Sequence, residues 1–198
     1  MISSPLTAPI ARATEGDRGY PGARMSLFDP FPTLSTQRLR LRALTREDAP
    51  AMHRLDADPR VARYLGRPPS ASLAAMQERV EALIADLRDE RSGYWVIADG
   101  ATDALLGSAC LWNWDRAAAI ADLGYMLDPA RWGEGLMSEA LPPIIAFGRE
   151  RMALARIEGR VDPANLASIR VLTRLGFIAG PELDEGEAVY SLSTRPPG

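Results

Sequence analysis

The sequence predicts a mixed α/β (α+β) fold, with a mostly antiparallel central sheet flanked by helices. Three observations predict it. Leu39, Leu41 and Ala43 alternate with Arg38, Arg40 and Arg42, the period of a strand with one wet face. Leu73, Met76, Val80, Leu83, Ile84 and Leu87 recur three or four apart, the stripe of an amphipathic helix. Strand-like runs at 94–98, 105–114 and 118–127 follow in close succession, split by Asp99-Gly100 and Trp114-Asp115-Arg116, as in an antiparallel meander.

The elements then follow in order. Residues 1–33 are rich in Pro and Gly without a sustained apolar period, and are expected to form an irregular leader without a chemical role. A single domain is expected over 34–198. Thr45 and Asp48 stand where a capping box would, ahead of a short helix through Met52 and Leu55. Asp58-Pro59 opens another helical turn that ends near Gly66. Ser70 or Ser72 caps the long helix, Arg88 and Arg91 suit the negative end of its dipole, and Gly93 ends it. After Asp128-Pro129 the period lengthens again. Leu136, Met137, Ala140, Leu141, Ile144 and Ile145 make an inward helix face. Pro142 and Pro143 fall inside that helix, where each removes a backbone donor, so a kink or a local loss of hydrogen bonds is expected. A strand over 155–161, a helix over 165–175 closed by Gly176, and strands over 177–179 and 188–192 complete the order.

Composition narrows the function classes. The 198 residues are 46% apolar, enough for a substantial core. All 23 basic residues are arginine, and 26 acidic residues leave a net charge of −3. That balance argues against broad nucleic-acid binding, which needs a basic face to displace counterions. It is compatible with attraction for a cationic amine. Cys110 and His53 are single, so neither an internal disulfide nor a Cys/His zinc site can form, and no metal is expected. No apolar run approaches the roughly 18 residues of a membrane span, and the first residues lack a signal-peptide core. A cytoplasmic protein is expected.

The chemistry concentrates in two clusters. In the first, Tyr125-Met126-Leu127 ends a strand. Trp132-Gly133-Glu134-Gly135 then leads into a helix that begins with Leu136, Met137 and Ser138. Glycines let the backbone approach a ligand closely, and the first N–H groups of a helix lack internal partners at the positive end of its dipole. Together they can hold a diphosphate. The same residues would also serve a plain turn into a helix. No Gly-Lys-Ser/Thr follows, and no third glycine stands at position 138, so neither a P-loop nor a dinucleotide fingerprint is present. In the second cluster Asn165 is followed by Ser168 and then by Leu175-Gly176-Phe177. Asn165 can cap a helix there, and Gly176 can end one.

Taken in order, the residues Thr36–Arg42, Ala121–Tyr125, Trp132–Leu141 and Asn165–Phe177 resemble the GNAT superfamily of N-acetyltransferases. The likeness is to its ribosomal-protein (RimJ/RimL-type) branch and covers roughly residues 34–193. The resemblance implies a sheet splayed between the strands at 118–127 and 155–161, and acetyl-CoA as cosubstrate. It implies that the backbone of Trp132, Gly133, Glu134, Gly135, Leu136, Met137 and Ser138 holds the coenzyme A diphosphate. The backbone of Tyr125, Met126 and Leu127 would pair with the pantetheine arm, and Asn165 would bond to it. Arg131 and Arg174 are either phosphate contacts or solvated surface arginines.

The resemblance also implies direct attack by an amine, so no nucleophilic residue is required, and Cys110 reads as core. Asp122 stands where the branch carries Glu, and either takes the amine proton or simply faces solvent or an arginine. Ser168 matches a proposed proton donor to the leaving thiolate and equally fits a capping role. The tyrosine that many relatives carry seven residues after the Asn is here Leu172. His53 reads as a packing or solvent-facing residue. Trp112 and Trp114 read as acceptor-pocket lining or as ordinary sheet packing. The expected partner is an amine acceptor, a protein N-terminus or a small molecule. No nucleic acid or membrane is expected, and a homodimer is compatible. A non-catalytic acyl-CoA-binding module of the same fold is the alternative.

Overall fold

A computed structural model describes residues 26–184 and 186–194. Residues 1–25 of the expected leader lie outside them. The chain forms β1 (Leu34–Ser35), β2 (Leu39–Ala43), α1 (Ala49–Ala57), α2 (Pro59–Ala62), α3 (Leu73–Arg88), β3 (Gly93–Asp99), β4 (Leu105–Asp115), β5 (Ile120–Leu127), α4 (Leu136–Glu150), β6 (Arg156–Val161), α5 (Leu166–Arg174), β7 (Ile178–Asp184) and β8 (Glu187–Ser193). Short 3-10 turns at Arg46–Asp48 and Pro129–Arg131 precede α1 and the glycine loop.

One eight-stranded sheet carries these elements in the order β1-β2-β3-β4-β5-β6-β8-β7. Each pairing is antiparallel except β5 with β6, which run parallel. That pairing is short: Ile120, Ala121 and Asp122 meet Arg156, Ile157 and Glu158, and the register goes no further. Beyond Asp122 the two strands part, so the expected splay lies between β5 and β6.

Two apolar clusters sit on opposite faces of the sheet. On what we call the near face, Leu136, Met137, Ala140, Leu141 and Ile144 of α4 and Leu172 of α5 pack on Ala121, Leu123, Tyr125 and Leu127 of β5. On the far face, Met52 and Leu55 of α1 and Met76, Val80 and Leu83 of α3 pack on Tyr94, Val96, Cys110 and Met126. Because β3 to β5 are covered on both sides, they read as continuous apolar runs, whereas β2 alternates.

The local signals behave as their chemistry dictates. Asp58 and Ser72 cap α2 and α3 through bonds from Arg60 N and Ala75 N. Asp48 accepts from Thr45 N at 2.9 Å and also takes Arg42 in a two-pronged pair at 2.8 Å. Helix α4 runs unbroken past Pro142 and Pro143. The donors they lack would have reached the carbonyls of Ser138 and Glu139, so the cost falls in the first turns of the helix. Residues 26–33 form neither helix nor strand, yet Phe28 is buried against Trp95 and Phe147, and Trp95 Nε1 donates to Pro32 O at 3.1 Å.

Candidate active site

The glycine loop fixes the start of α4. Gly133 has φ +83° and Gly135 φ +77°, both in the left-handed region that side-chain-bearing residues avoid. A Cβ at Gly133 would meet nothing within 4 Å, so the loop faces open space on that side. Gly135 caps the helix, and the first internal bond there runs from Glu139 N to Gly135 O. The N–H groups of Leu136, Met137 and Ser138 therefore have no helical acceptor. Trp132 folds its indole back to donate to Leu127 O at 2.9 Å, which ties the loop to the end of β5.

A strut holds this loop from behind. Glu139, in the first turn of α4, accepts from Thr36 Oγ1 at 2.5 Å, Arg38 N at 2.8 Å and Arg38 Nε at 2.7 Å. Arg38 Nη1 also reaches Glu134 O at 3.1 Å. Burial raises the Glu139 pKa, but the Thr36 and Arg38 bonds outweigh it and hold the carboxyl below its ordinary value.

In front of the loop lies a cleft of about 500 Å³ on the near face. Tyr125, Leu127, Trp132, Gly133, Gly135, Leu136, Met137 and Ser138 line one side, and Asn165, Ser168 and Arg174 the other. Met126 points to the far-face cluster. Glu134 turns aside to pair with Arg131 at 2.9 Å. Asn165 caps α5, its Oδ1 accepting from Ser168 N at 3.2 Å. Tyr125 Oη donates to Ser168 O at 3.4 Å. Arg170 and Arg174, one turn apart on the exposed side of α5, also line the cleft, and neither joins an ion pair among the described residues.

Asp122 stands apart from this cleft. It alternates with Ala121 and Leu123, so its side chain faces the far side, beside its β4 partner Trp112. It lies at the last rung before β5 and β6 part. It is 6% exposed, accepts from Asn113 Nδ2 at 3.0 Å and has Arg160 Nε at 4.0 Å. Burial pushes its pKa up, against the pull of Asn113 and Arg160. Ser168 and Asp122 thus lie on opposite sides of the sheet, next to the same gap.

Several groups here had no role assigned from the sequence. Asn113 adopts φ +49° at a register shift in β4, and that bulge turns its amide toward Asp122. Arg38 and Glu139 are 101 residues apart, beyond any local pattern. Tyr64 and Arg170 join the cleft lining without a motif of their own. His53 lies on α1 with Nδ1 buried and unpartnered among the described residues, and Trp112 and Trp114 likewise keep buried Nε1 groups unpartnered.

The pattern that defines the Acetyltransferase (GNAT) domain matches residues 38–178. The chain belongs to the GNAT acetyltransferase family. Among relatives of this GNAT protein, the uncharacterized N-acetyltransferase p20 of Bacillus licheniformis is 33% identical over 146 residues. That match covers 73% of this chain and 82% of p20. An acetyltransferase structure from Agrobacterium tumefaciens strain C58 superposes with a TM-score of 0.70 at 26% identity, covering 88% of this chain and 99% of that one. The ribosomal L7/L12 alpha-N-protein acetyltransferase RimL, solved with coenzyme A, gives a TM-score of 0.70 at 22% identity. It covers 82% of this chain and 98% of RimL, a likeness of fold. GNAT acetyltransferases draw on acetyl-CoA, and this GNAT chain is an acyl-CoA-dependent N-acetyltransferase. Among its described residues, no helix is long and apolar enough to cross a membrane.

Proposed function

We propose that the protein moves an acetyl group from acetyl-CoA to a primary amine, a protein N-terminus or a small molecule, by direct attack in a ternary complex. One observation carries this reading. The gap between β5 and β6 has a cleft suited to the coenzyme on one face and the buried carboxylate of Asp122 on the other.

The residues fit the coenzyme. The open space at Gly133 admits a diphosphate against the N–H groups of Leu136, Met137 and Ser138. Arg170 and Arg174 offer cations without an ion pair among the described residues, while Arg131 is spent on Glu134. The gap-facing backbone of Tyr125–Leu127, past the end of the β6 register, can accept an extended arm as an added strand. Asn165 bonds to that arm as well as capping α5. When bound, the thioester supplies the activated acetyl group.

The chain's own work is then to hold and move protons. An amine must be neutral to attack, and a nearby base with a raised pKa suits that task. Asp122 takes the amine proton from the far side, directly or through water. Ser168 offers a hydroxyl toward the sulfur side.

Calorimetric titration with acetyl-CoA, followed by thiol release against a panel of amines and N-terminal peptides, tests this reading. Binding with amine-dependent release supports it. Binding without release on any amine points instead to an acyl-CoA-binding module, a reading that Leu172, in place of a tyrosine acid, keeps in play. Absence of binding removes the assignment of 132–138.

A further inference from the structure

The near-face cleft has one wall residue from the other side of the sheet. Apart from Tyr64, its lining comes from β5, the loop after it, the start of α4, and the loop and helix of α5. Tyr64 follows α2 and packs against the far-face cluster of Met52, Tyr94 and Met126. Tyr64 therefore joins the cleft wall from the far-face side of the sheet. The start of α2 lies by the end of β5, where Asp58 and Asp128 line one small cavity.

The segment that carries Tyr64 is pinned. Val61 and Leu65 on either side are fully or almost fully buried, and Tyr64 N donates to Val61 O at 3.0 Å. Just beyond, Arg67 Nη2 reaches the buried Asp56 at 2.5 Å, and Asp56 also accepts from Ser70 N at 2.5 Å. The Tyr64 ring has Arg63 stacked at 4.9 Å, and its hydroxyl makes no hydrogen bond among the described residues. The other phenol of the cleft is less available. Tyr125 Oη is committed to Ser168 O, and burial drives its pKa upward. Leu172 has no proton to give and is buried in the core.

We infer that Tyr64 is a catalytic residue that hands a proton to the departing thiolate, an inference that rests on the acetyl-transfer reading above. The amine nitrogen forms the new C–N bond, and the C–S bond breaks with its electron pair left on sulfur. Tyr64 Oη delivers its proton to that sulfur. The proton shed by the amine passes through Asp122 and water and restores the phenol, so the net movement is one proton from amine to thiol. A phenol O–H can donate to sulfur, and proton transfer of this kind accounts for roughly 10²–10⁴-fold in rate.

The test compares wild type with Tyr64→Phe, which keeps the ring. Binding of coenzyme A and of desulfo-coenzyme A, which lacks the sulfur, is measured by calorimetry from pH 6 to 9. Wild type should favour the sulfur-bearing form increasingly as the thiol ionises. Tyr64→Phe should lose that preference several-fold while binding desulfo-coenzyme A as wild type does. With any amine that the wild type acetylates, kcat should fall about 100-fold, with KM for acetyl-CoA within about twofold. An unchanged sulfur preference in Tyr64→Phe, or none in wild type, overturns the inference. If wild type binds coenzyme A but acetylates no amine, the acetyl-transfer reading fails, and the sulfur preference still decides whether Tyr64 meets the thiolate.

Discussion

At the scale of single residues, Asp122 shows how position sets chemistry. It is paired to Trp112 on one side and Glu158 on the other, is almost fully buried, and burial raises its pKa. A carboxyl raised in the fold favours the folded state below its unfolded pKa and loses that contribution as pH climbs through the folded value. Asp122→Asn should therefore be at least as stable as wild type at pH 7, with a flatter dependence of stability on pH. Its acetyl transfer should drop about 100-fold or more, with acetyl-CoA affinity retained. If Asp122 is the base as proposed, the acid limb of the wild-type rate profile should lie above the ordinary carboxylate range, because a base works only when ionised. Thermal melts and pH–rate profiles of the two proteins check this. A variant that keeps the wild-type rate would reduce Asp122 to a buried partner of Asn113 and Arg160.

The same scale shows what could be read in advance. Caps such as Asp58 and Ser72 were legible because a helix start is decided within a few residues of chain. The glycines at 133 and 135 were legible because a left-handed turn before a helix leaves few alternatives. The Asn113–Asp122 bond was not, because it depends on a bulge that shifts the β4 register by an amount no local pattern records. Tyr64 was hidden for another reason. Its inferred role comes from its reach into the cleft from the far-face side, which no local pattern records.

At the scale of elements, the functional loop depends on a strut from the other end of the sequence. Glu139 links α4 to the start of β2, and its carboxylate sits in the first turn, where the helix dipole favours negative charge. Both side chains are partly exposed, so the ion pair itself contributes little, and most of the value lies in the bonds to Thr36 and to Arg38 N. Glu139→Ala should cost about 1–2 kcal/mol, lowering Tm by roughly 2–8 °C in a chain of this size. It should also weaken acetyl-CoA binding by several-fold, since Arg38 would no longer brace Glu134. A carboxyl held below its usual pKa loses its contribution as pH falls through the folded value, so the stability gap should narrow in acid. Melting curves at pH 7 and pH 4 read this directly. Helix α4 adds a complication the sequence did announce. It keeps its course through Pro142 and Pro143, because the apolar face at Ala140, Leu141 and Ile144 is wholly buried and packing outweighs the missing bonds.

At the scale of the whole molecule, one break organises everything else. Five strands on one side and three on the other share a sheet joined through only three paired positions. The fold class and the order of elements were legible from period changes and turn residues. The depth of the break was not, since β5 looks like any covered strand in its apolar content. The open edge predicts a footprint in hydrogen exchange. Those amides of Leu123–Leu127 that point away from β4 should exchange readily in the free protein and slow when coenzyme A is added. Protection confined to the glycine loop would place the ligand elsewhere.

Cys110 offers a practical consequence. Its thiol is buried on the far face, donates to Gly124 O at 3.6 Å, and is held protonated because burial pushes its pKa upward. It should thus be silent toward aromatic disulfide reagents in the native protein and yield one equivalent only after denaturation. A colorimetric thiol assay of turnover would then carry no background from the enzyme, and every native-state signal would count a molecule of coenzyme set free.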